Sequence, residues 1–102
     1  MRLPFEAEAV DELEDAAAWY EREREGYGAL FVSQVRRAVD RAADLPHSGP
    51  RVHGTDPERD VRRFVVRRFP YQVITAIVGG QRAVVAVVHG RRRPGYWRDR
   101  LK

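Results

Sequence analysis

The most informative stretch of the sequence is RAVVAVVHGRRRPGYW, residues 82–97. It begins with a run from Ala83 to Val88 that holds only Ala and Val. β-Branched residues favour strands, and a run that is apolar at every position indicates a strand that is central or covered on both faces. The sequence then changes abruptly to His89, a glycine, three Arg residues, a Pro-Gly turn and two aromatic residues. We therefore predict a buried central strand that delivers a polar, basic site to one edge of a sheet.

Two further strands are predicted just before this one, VRRFVVRRF at residues 61–69 and YQVITAIV at residues 71–78. Gly79-Gly80 joins the second strand to the third as a two-residue hairpin turn, because glycine takes positive φ without steric cost. Pro70 marks a short turn or bulge between the first two strands. Since each connection is short, the three strands are expected to pair in order as an antiparallel meander.

Two amphipathic helices are predicted ahead of the meander, at residues 6–24 and 29–45. Apolar residues at three- and four-residue steps define one face of each helix. These faces hold Val10, Leu13, Ala17 and Tyr20 in the first helix, and Phe31, Val35, Ala38, Ala42 and Leu45 in the second. The short link Gly26-Tyr27-Gly28 implies an antiparallel helical hairpin. Residues 2–5 are predicted as a short N-terminal strand, at an edge because of Pro4.

The resulting order β-α-α-β-β-β predicts one α+β domain over residues 1–102. Its antiparallel helical hairpin packs on a three- to four-stranded, mainly antiparallel sheet that includes the short N-terminal strand. A short turn or helix is expected at the C-terminus. The second face of the sheet, or its end, is expected to remain concave, basic and available.

The charges divide the chain into an acidic front and a basic back. Residues 1–25 carry nine acids and three bases, whereas residues 51–102 carry four acids and thirteen bases. The formal net charge of +4 therefore hides a strong asymmetry. A basic surface of this density favours a polyanion or an acidic protein partner.

Composition also excludes several classes of protein. The chain has no cysteine, so disulfides and Cys-ligated zinc are excluded. No stretch is long and apolar enough to predict a membrane helix, and the acidic first 25 residues do not form a signal peptide. His47 and His53 lie in a loop without carboxylate-rich ligand spacing, so neither a metal nor a cofactor is predicted. These features are compatible with a cytoplasmic protein.

The basic part of the chain holds the residue types that metal-independent RNA cleavage requires. His or Tyr can transfer protons, Arg can stabilise the phosphorane charge, and an aromatic ring can stack on an extruded base. The candidates are Arg62, Arg63, Arg67, Arg68, Tyr71, His89, Arg91, Arg92, Arg93, Tyr96 and Trp97. Structural roles stay open for all of them: His89 can be merely exposed, Tyr96 and Trp97 can fold back on the core, and the Arg residues can form a solvated run or protect a sheet edge.

The ordered set of motifs resembles the RelE/ParE toxin superfamily. The set comprises the acidic helix ending AAWYER, the helix FVSQVRRAV ending in Leu-Pro, the strands VRRFVVRRFPYQVI and the ending VVAVVHGRRRPGYW. The resemblance covers nearly the whole chain. It implies a toxin of a type II toxin–antitoxin module that is neutralised by a cognate antitoxin, which wraps an extended or helical segment over it.

The resemblance also implies two alternative targets. RelE-like members cleave mRNA on the ribosome, and in that branch Arg67 or Arg68 matches a basic position while His89 and Tyr96 match the acid/base and stacking positions. We therefore predict ribosome-dependent mRNA cleavage, with Arg68, His89 and Tyr96 as catalytic residues and the other candidates binding the target. The alternative is a ParE-like inhibitor of DNA gyrase without nuclease chemistry. The resemblance favours it because cleaving members often use Lys residues in or before the first strand of the meander, and here the only lysine is Lys102. A third possibility is a non-toxic binding partner.

Overall fold

Two helices pack on a three-stranded antiparallel sheet in the computed structural model, which describes residues 3–101. In chain order the elements are α1 (Ala7–Glu23), α2 (Tyr27–Asp44), β1 (Arg62–Val66), β2 (Tyr71–Val78) and β3 (Gln81–His89). Short 3-10 helices lie at Pro57–Arg59 and Tyr96–Leu101. The strands pair in the order β1-β2-β3. The predicted α+β class, helical hairpin, meander and C-terminal turn are therefore confirmed.

The predicted N-terminal strand is reduced to a single parallel bridge between Phe5 and Val84. The Val84 amide donates to the carbonyl of Pro4 at 2.8 Å, and the Glu6 amide donates to the carbonyl of Val84 at 2.9 Å. Pro4 has no N–H to donate and α1 begins at Ala7, so the segment is too short to extend this pairing. Arg2, where the predicted strand began, lies outside the described residues.

β3 lies at the edge of the three-stranded sheet, with β2 in the centre, so the predicted central position of β3 is wrong. Its register with β2 shifts by one residue midway, which leaves Val85 as the extra residue of a bulge. Because of this bulge, Val84 and Val87 face the helices, whereas Val85 and Ala86 both face the other side. Apolar cover on both faces explains why this edge strand reads as an uninterrupted apolar run.

Side chains from the two ends of the chain satisfy the outer edge of β3. The Val87 amide donates to Glu12 on α1 at 3.0 Å, and the Val85 carbonyl accepts from Arg100 at 3.0 Å. Backbone groups on a buried strand edge need such partners, because unpaired ones are costly and invite pairing with another chain.

The buried face of α1 includes Leu13, Ala17 and Tyr20 of the predicted face but not Val10. Ala9, Leu13 and Ala16 are buried, whereas Val10 is 36% exposed. In α2 the predicted residues Phe31, Val35, Ala38 and Ala42 are all buried. Leu45 was predicted on the same face but is 65% exposed, because α2 ends at Asp44 and Leu45 no longer follows the helical period.

The helices approach closely where α2 begins. Gly26 adopts φ 89°, which an L side chain rarely adopts, and its amide donates to the Glu21 carboxylate. The Gly28 amide donates to the same carboxylate at 3.0 Å. A Cβ added at Gly28 would lie 2.7 Å from the Ala17 carbonyl oxygen, so only glycine allows this helix crossing.

A second apolar core covers the sheet face opposite the helices. It is formed by Val61, Ile74, Ala76, Val85, Ala86, Val88 and Trp97, with Val52 and Leu101 packed against it. The expectation that this face stays concave and available is therefore wrong for most of the face. The bulge adds apolar side chains to this side, and the C-terminal 3-10 helix covers them.

β1 is shorter than predicted, because the chain turns after Val66. Arg67 and Arg68 lie in a four-residue turn before Tyr71, and Arg68 has a positive φ of 74°. Both Arg residues therefore leave the strand in which they were expected.

Within residues 3–101, neither helix combines the length and the apolar character needed to cross a membrane.

Candidate functional site

His89 is the last residue of β3, and its ring is bonded to the backbone of the segment that follows. Its Nδ1 accepts a hydrogen bond from the Arg91 amide at 2.9 Å. A neutral ring that accepts at Nδ1 carries its proton on Nε2. The His89 carbonyl accepts from the Arg92 amide at 3.0 Å. Both contacts fix the first residues of the loop at residues 90–95, which we call the basic loop.

Aromatic residues line an opening beside His89. Tyr71 pairs with His89 across β2 and β3, and the two rings meet edge to face with centroids 5.0 Å apart. Trp19 on α1 is 50% exposed. Tyr71, His89 and Trp19 line two clefts. Arg92 also lines the first cleft, of about 290 Å³, and Arg91 lines the second, of about 580 Å³. The opening therefore combines stacking surfaces with two guanidinium groups.

Arg91, Arg92 and Arg93 all project from the basic loop as exposed side chains. The guanidinium carbon of Arg92 lies 4.3 Å from the centre of the Tyr96 ring, within the range of a cation–π interaction. The Gly90 amide donates to the Pro70 carbonyl at 2.8 Å, which brings the basic loop beside the turn that carries Arg67 and Arg68. The structure therefore gathers these five arginines at one end of the sheet.

Tyr96 is partly buried, and its hydroxyl is bonded within the protein, while the residue lines the clefts on both sides of the basic loop. Its hydroxyl donates a short hydrogen bond to Glu12, which also binds Arg100 at 2.8 Å and 3.1 Å. Burial raises the pKa of Tyr96, and the hydrogen bond and charge of Glu12 raise it further, to about 12. The phenol is therefore protonated at neutral pH and acts as a hydrogen-bond donor to the Glu12 carboxylate.

Trp97 is only 4% exposed and belongs to the second core. Its ring is therefore not presented for stacking on a base. The neighbouring Arg98 donates to the carbonyls of His53 at 2.8 Å and Gly54 at 2.9 Å. Together these two residues dock the C-terminal 3-10 helix on the body of the protein.

The two arginines of β1, Arg62 and Arg63, differ in their distance from the basic loop. Arg62 binds Asp60 at 2.9 Å and the carbonyls of His47 and Gly49, so its guanidinium is structural. Arg63 lines a groove of about 210 Å³ between the sheet and the basic loop, together with Gln72. Of the two, only Arg63 adjoins the residues around His89.

Arg67 and Arg68 are both exposed in the turn between β1 and β2. Arg67 lies near Arg41, whose guanidinium donates to the Val65 carbonyl at 2.5 Å. Burial lowers the pKa of Arg41, and the charge of Arg67 lowers it further. Positive charge is thus concentrated at this end of the sheet, where it can attract an anionic surface.

The geometry offers binding groups more readily than an acid–base pair. Nε2 of His89 remains for proton transfer, but the Tyr96 hydroxyl is engaged by Glu12. Burial raises the pKa of Tyr71, so that phenol also stays protonated at neutral pH.

Among residues 3–101, no group of three His, Cys, Asp or Glu side chains is arranged to hold a metal ion.

Sequence reasoning missed Glu12, Arg100 and Trp19. In the sequence Glu12 is one of nine acids among residues 1–25, and negative charge near the start of a helix suits the helix dipole without any specific contact. The position of Glu12 next to Leu13, on the border of the buried face, is the signal that could have shown it to point inward. Arg100 carries no such signal, because its partner Glu12 is 88 residues away in the sequence. Trp19 carries none either, because the cleft that it lines is shared with His89, 70 residues away.

Comparison with known protein families identifies a family model that matches most of the chain. The family model described as "ParE toxin of type II toxin-antitoxin system, parDE" matches residues 3–94 of the 102 residues. The match spans both helices, all three strands and most of the basic loop. No curated protein matches the chain.

Proposed function

Because the chain belongs to the family of ParE toxins of type II toxin–antitoxin systems, we propose that it arrests growth by binding and inhibiting DNA gyrase, without cleaving RNA. Membership of this family implies a cognate antitoxin as its partner. A protein with this target acts in the cytoplasm, which is the location that we propose.

The observation that carries this proposal is the engagement of Tyr96. A ribonuclease acting here needs proton donors and acceptors that can reach the 2′-hydroxyl and the leaving oxygen. The hydroxyl of Tyr96 instead donates to Glu12, and its pKa of about 12 disfavours proton transfer near neutrality. Inhibition by binding requires no such group.

The exposed residues around the basic loop have the character of a binding surface. Aromatic and Arg side chains dominate the binding energy of many protein interfaces. We propose that Arg91, Arg92 and Trp19 form the centre of the target-binding surface. Arg67 and Arg68, in the adjacent turn, extend its positive charge.

Ribosome-dependent mRNA cleavage is the second candidate, and His89 is the observation that favours it. The imidazole keeps Nε2 for proton transfer while Nδ1 is bonded to the Arg91 amide. Arg91 and Arg92 beside it can stabilise a phosphorane. This arrangement provides one proton-transfer group, with Arg68 and Tyr96 as the remaining catalytic residues of that alternative.

Induced expression without antitoxin tests the proposal. Plasmid supercoiling and incorporation of a labelled amino acid are followed in the same culture. We expect supercoiling to fall before protein synthesis does. An early stop of protein synthesis, with cleaved mRNA and normal supercoiling, would support mRNA cleavage instead. Normal growth would rule out both activities.

A further inference from the structure

Glu12 lies in the acidic front of the chain, yet it contacts the basic end. Its side chain is 16% exposed, whereas the neighbouring Asp11 and Glu14 are exposed. One carboxylate oxygen accepts from the Val87 amide at 3.0 Å and from Arg100 at 2.8 Å. The other accepts from the Tyr96 hydroxyl and from Arg100 at 3.1 Å. A single side chain thus joins α1, β3 and the C-terminal 3-10 helix.

These bonds keep the largely buried carboxylate ionised. Burial raises the pKa of Glu12, but hydrogen bonds from Arg100, Tyr96 and the Val87 amide outweigh it and lower the pKa below its ordinary value. The hydrogen bond to Glu12 also raises the pKa of Arg100. Charge-assisted bonds of this kind are stronger and more directional than neutral ones.

The Glu12 network contacts the residue that follows the C-terminal end of the basic loop, Tyr96. At the near end, His89 binds the amides of Arg91 and Arg92. At the far end the loop runs into Tyr96, whose ring carries the Arg92 guanidinium at 4.3 Å. The bond between its hydroxyl and Glu12 holds the outer end of this ring, while the rest of the residue packs against the second core.

We infer that Glu12 is a positioning residue for the proposed gyrase-binding surface, because it fixes Tyr96 and thereby the conformation of the basic loop. The inference rests on the proposed function for its effect on inhibition. The position of the loop can be measured independently of any target.

A purely structural role for Glu12 is distinguishable, because the C-terminal 3-10 helix has other attachments. Trp97 is buried in the second core, and Arg98 binds the carbonyls of His53 and Gly54. Loss of the Glu12 bonds should therefore loosen the basic loop more than it detaches the helix.

A spin label in the loop measures this directly. The chain has no cysteine, so Arg93→Cys provides a unique labelling site. The label is placed in the otherwise native chain, in Glu12→Gln, in Tyr96→Phe and in the matched control Glu14→Gln. We expect higher label mobility in Glu12→Gln and Tyr96→Phe, and unchanged mobility in Glu14→Gln. Tyr96→Phe keeps the Glu12–Arg100 pair, so it carries the test if Glu12→Gln does not fold.

The same substitutions without the label are compared for inhibition of gyrase. We expect Glu12→Gln and Tyr96→Phe to inhibit about tenfold more weakly, as expected for loss of a hydrogen bond to a charged group, and Glu14→Gln to match the native chain. Unchanged loop mobility in folded variants overturns the inference, as does a mobile loop with undiminished inhibition. A loop that becomes mobile in a chain that never inhibits gyrase supports the positioning role and overturns the proposed target.

Discussion

The guanidinium of Arg92 lies over the ring of Tyr96, 4.3 Å from its centre, and the hydroxyl of that ring is bonded to Glu12. An exposed cation at the proposed target-binding surface is thus supported by a side chain anchored inside the protein. Arg100 also lies 5.3 Å from the same ring centre. This arrangement orders part of the basic loop, which reduces the conformational entropy lost on binding.

The first prediction concerns the two arginines that line the aromatic clefts. The double substitution Arg91→Ala and Arg92→Ala should weaken gyrase inhibition by about tenfold to a hundredfold, because Arg side chains often provide the main contacts of an interface. Inhibition is measured by supercoiling of relaxed plasmid, and the fold is checked by circular dichroism. The control is Arg36→Ala with Arg37→Ala, which removes two exposed arginines from α2. Equal inhibition by both double variants would remove the basic loop from the target-binding surface.

The second prediction concerns Asp60, which binds Arg62 at 2.9 Å and Arg82 at 2.5 Å. Asp60→Asn should lower the free energy of unfolding at pH 7 by about 2 kcal/mol, because it leaves two largely buried guanidinium groups without their anion. Urea denaturation measures this change. Asp11→Asn, an exposed acid on α1, is the matched control and should have little effect.

The contribution of Asp60 should also depend on pH. Burial raises its pKa, but the hydrogen bond and charge of Arg62, with the charges of Arg82 and His47, lower it below the ordinary value of 3.8. A carboxyl with a lowered folded-state pKa stabilises the protein above its unfolded-state pKa, and this stabilisation is lost as pH falls through the folded-state pKa. The difference between native chain and Asp60→Asn should therefore shrink below about pH 4. A difference that stays constant down to pH 2 would contradict the pairing.

The third prediction tests the second core. Trp97→Ala should lower the free energy of unfolding by about 3–5 kcal/mol, because it removes a large buried side chain and leaves a cavity. Trp19→Ala is the matched control, since Trp19 is 50% exposed, and it should cost less than about 1 kcal/mol. Similar losses for both variants would mean that the C-terminal 3-10 helix does not cover the sheet as described.

Local sequence patterns predicted most of the fold. The boundaries of β2 follow from Pro70 before the strand and from the Gly79-Gly80 turn after it, where both glycines adopt positive φ. The edge position of β3 was not predictable, because its apolar run reflects cover by Trp97 and the C-terminal residues rather than a central place in the sheet. The bulge at Val85 has no local signal either, since glycine and proline are absent there.

Less of the candidate site was predictable. The sequence identified the basic loop, and the structure brings Tyr71, His89, Arg91 and Arg92 together. It did not indicate that Tyr96 would bind Glu12, 84 residues earlier, and it left open whether Trp97 would stack on a base or fold back on the core, where it is buried. Such contacts depend on how α1 and the C-terminus meet at the edge of β3, which no short motif encodes.

The fourth prediction separates gyrase binding from RNA cleavage with one residue. His89→Asn retains an acceptor close to the position of Nδ1 for the Arg91 amide, but it removes the nitrogen that could transfer a proton. The purified native chain and this variant are titrated into a gyrase supercoiling reaction, with ribosomes carrying mRNA assayed in parallel. We expect both proteins to inhibit supercoiling, at concentrations within about threefold of each other, and neither to cleave mRNA. Undiminished supercoiling with the native chain, together with mRNA cleavage that His89→Asn abolishes, would contradict the proposed inhibition of gyrase.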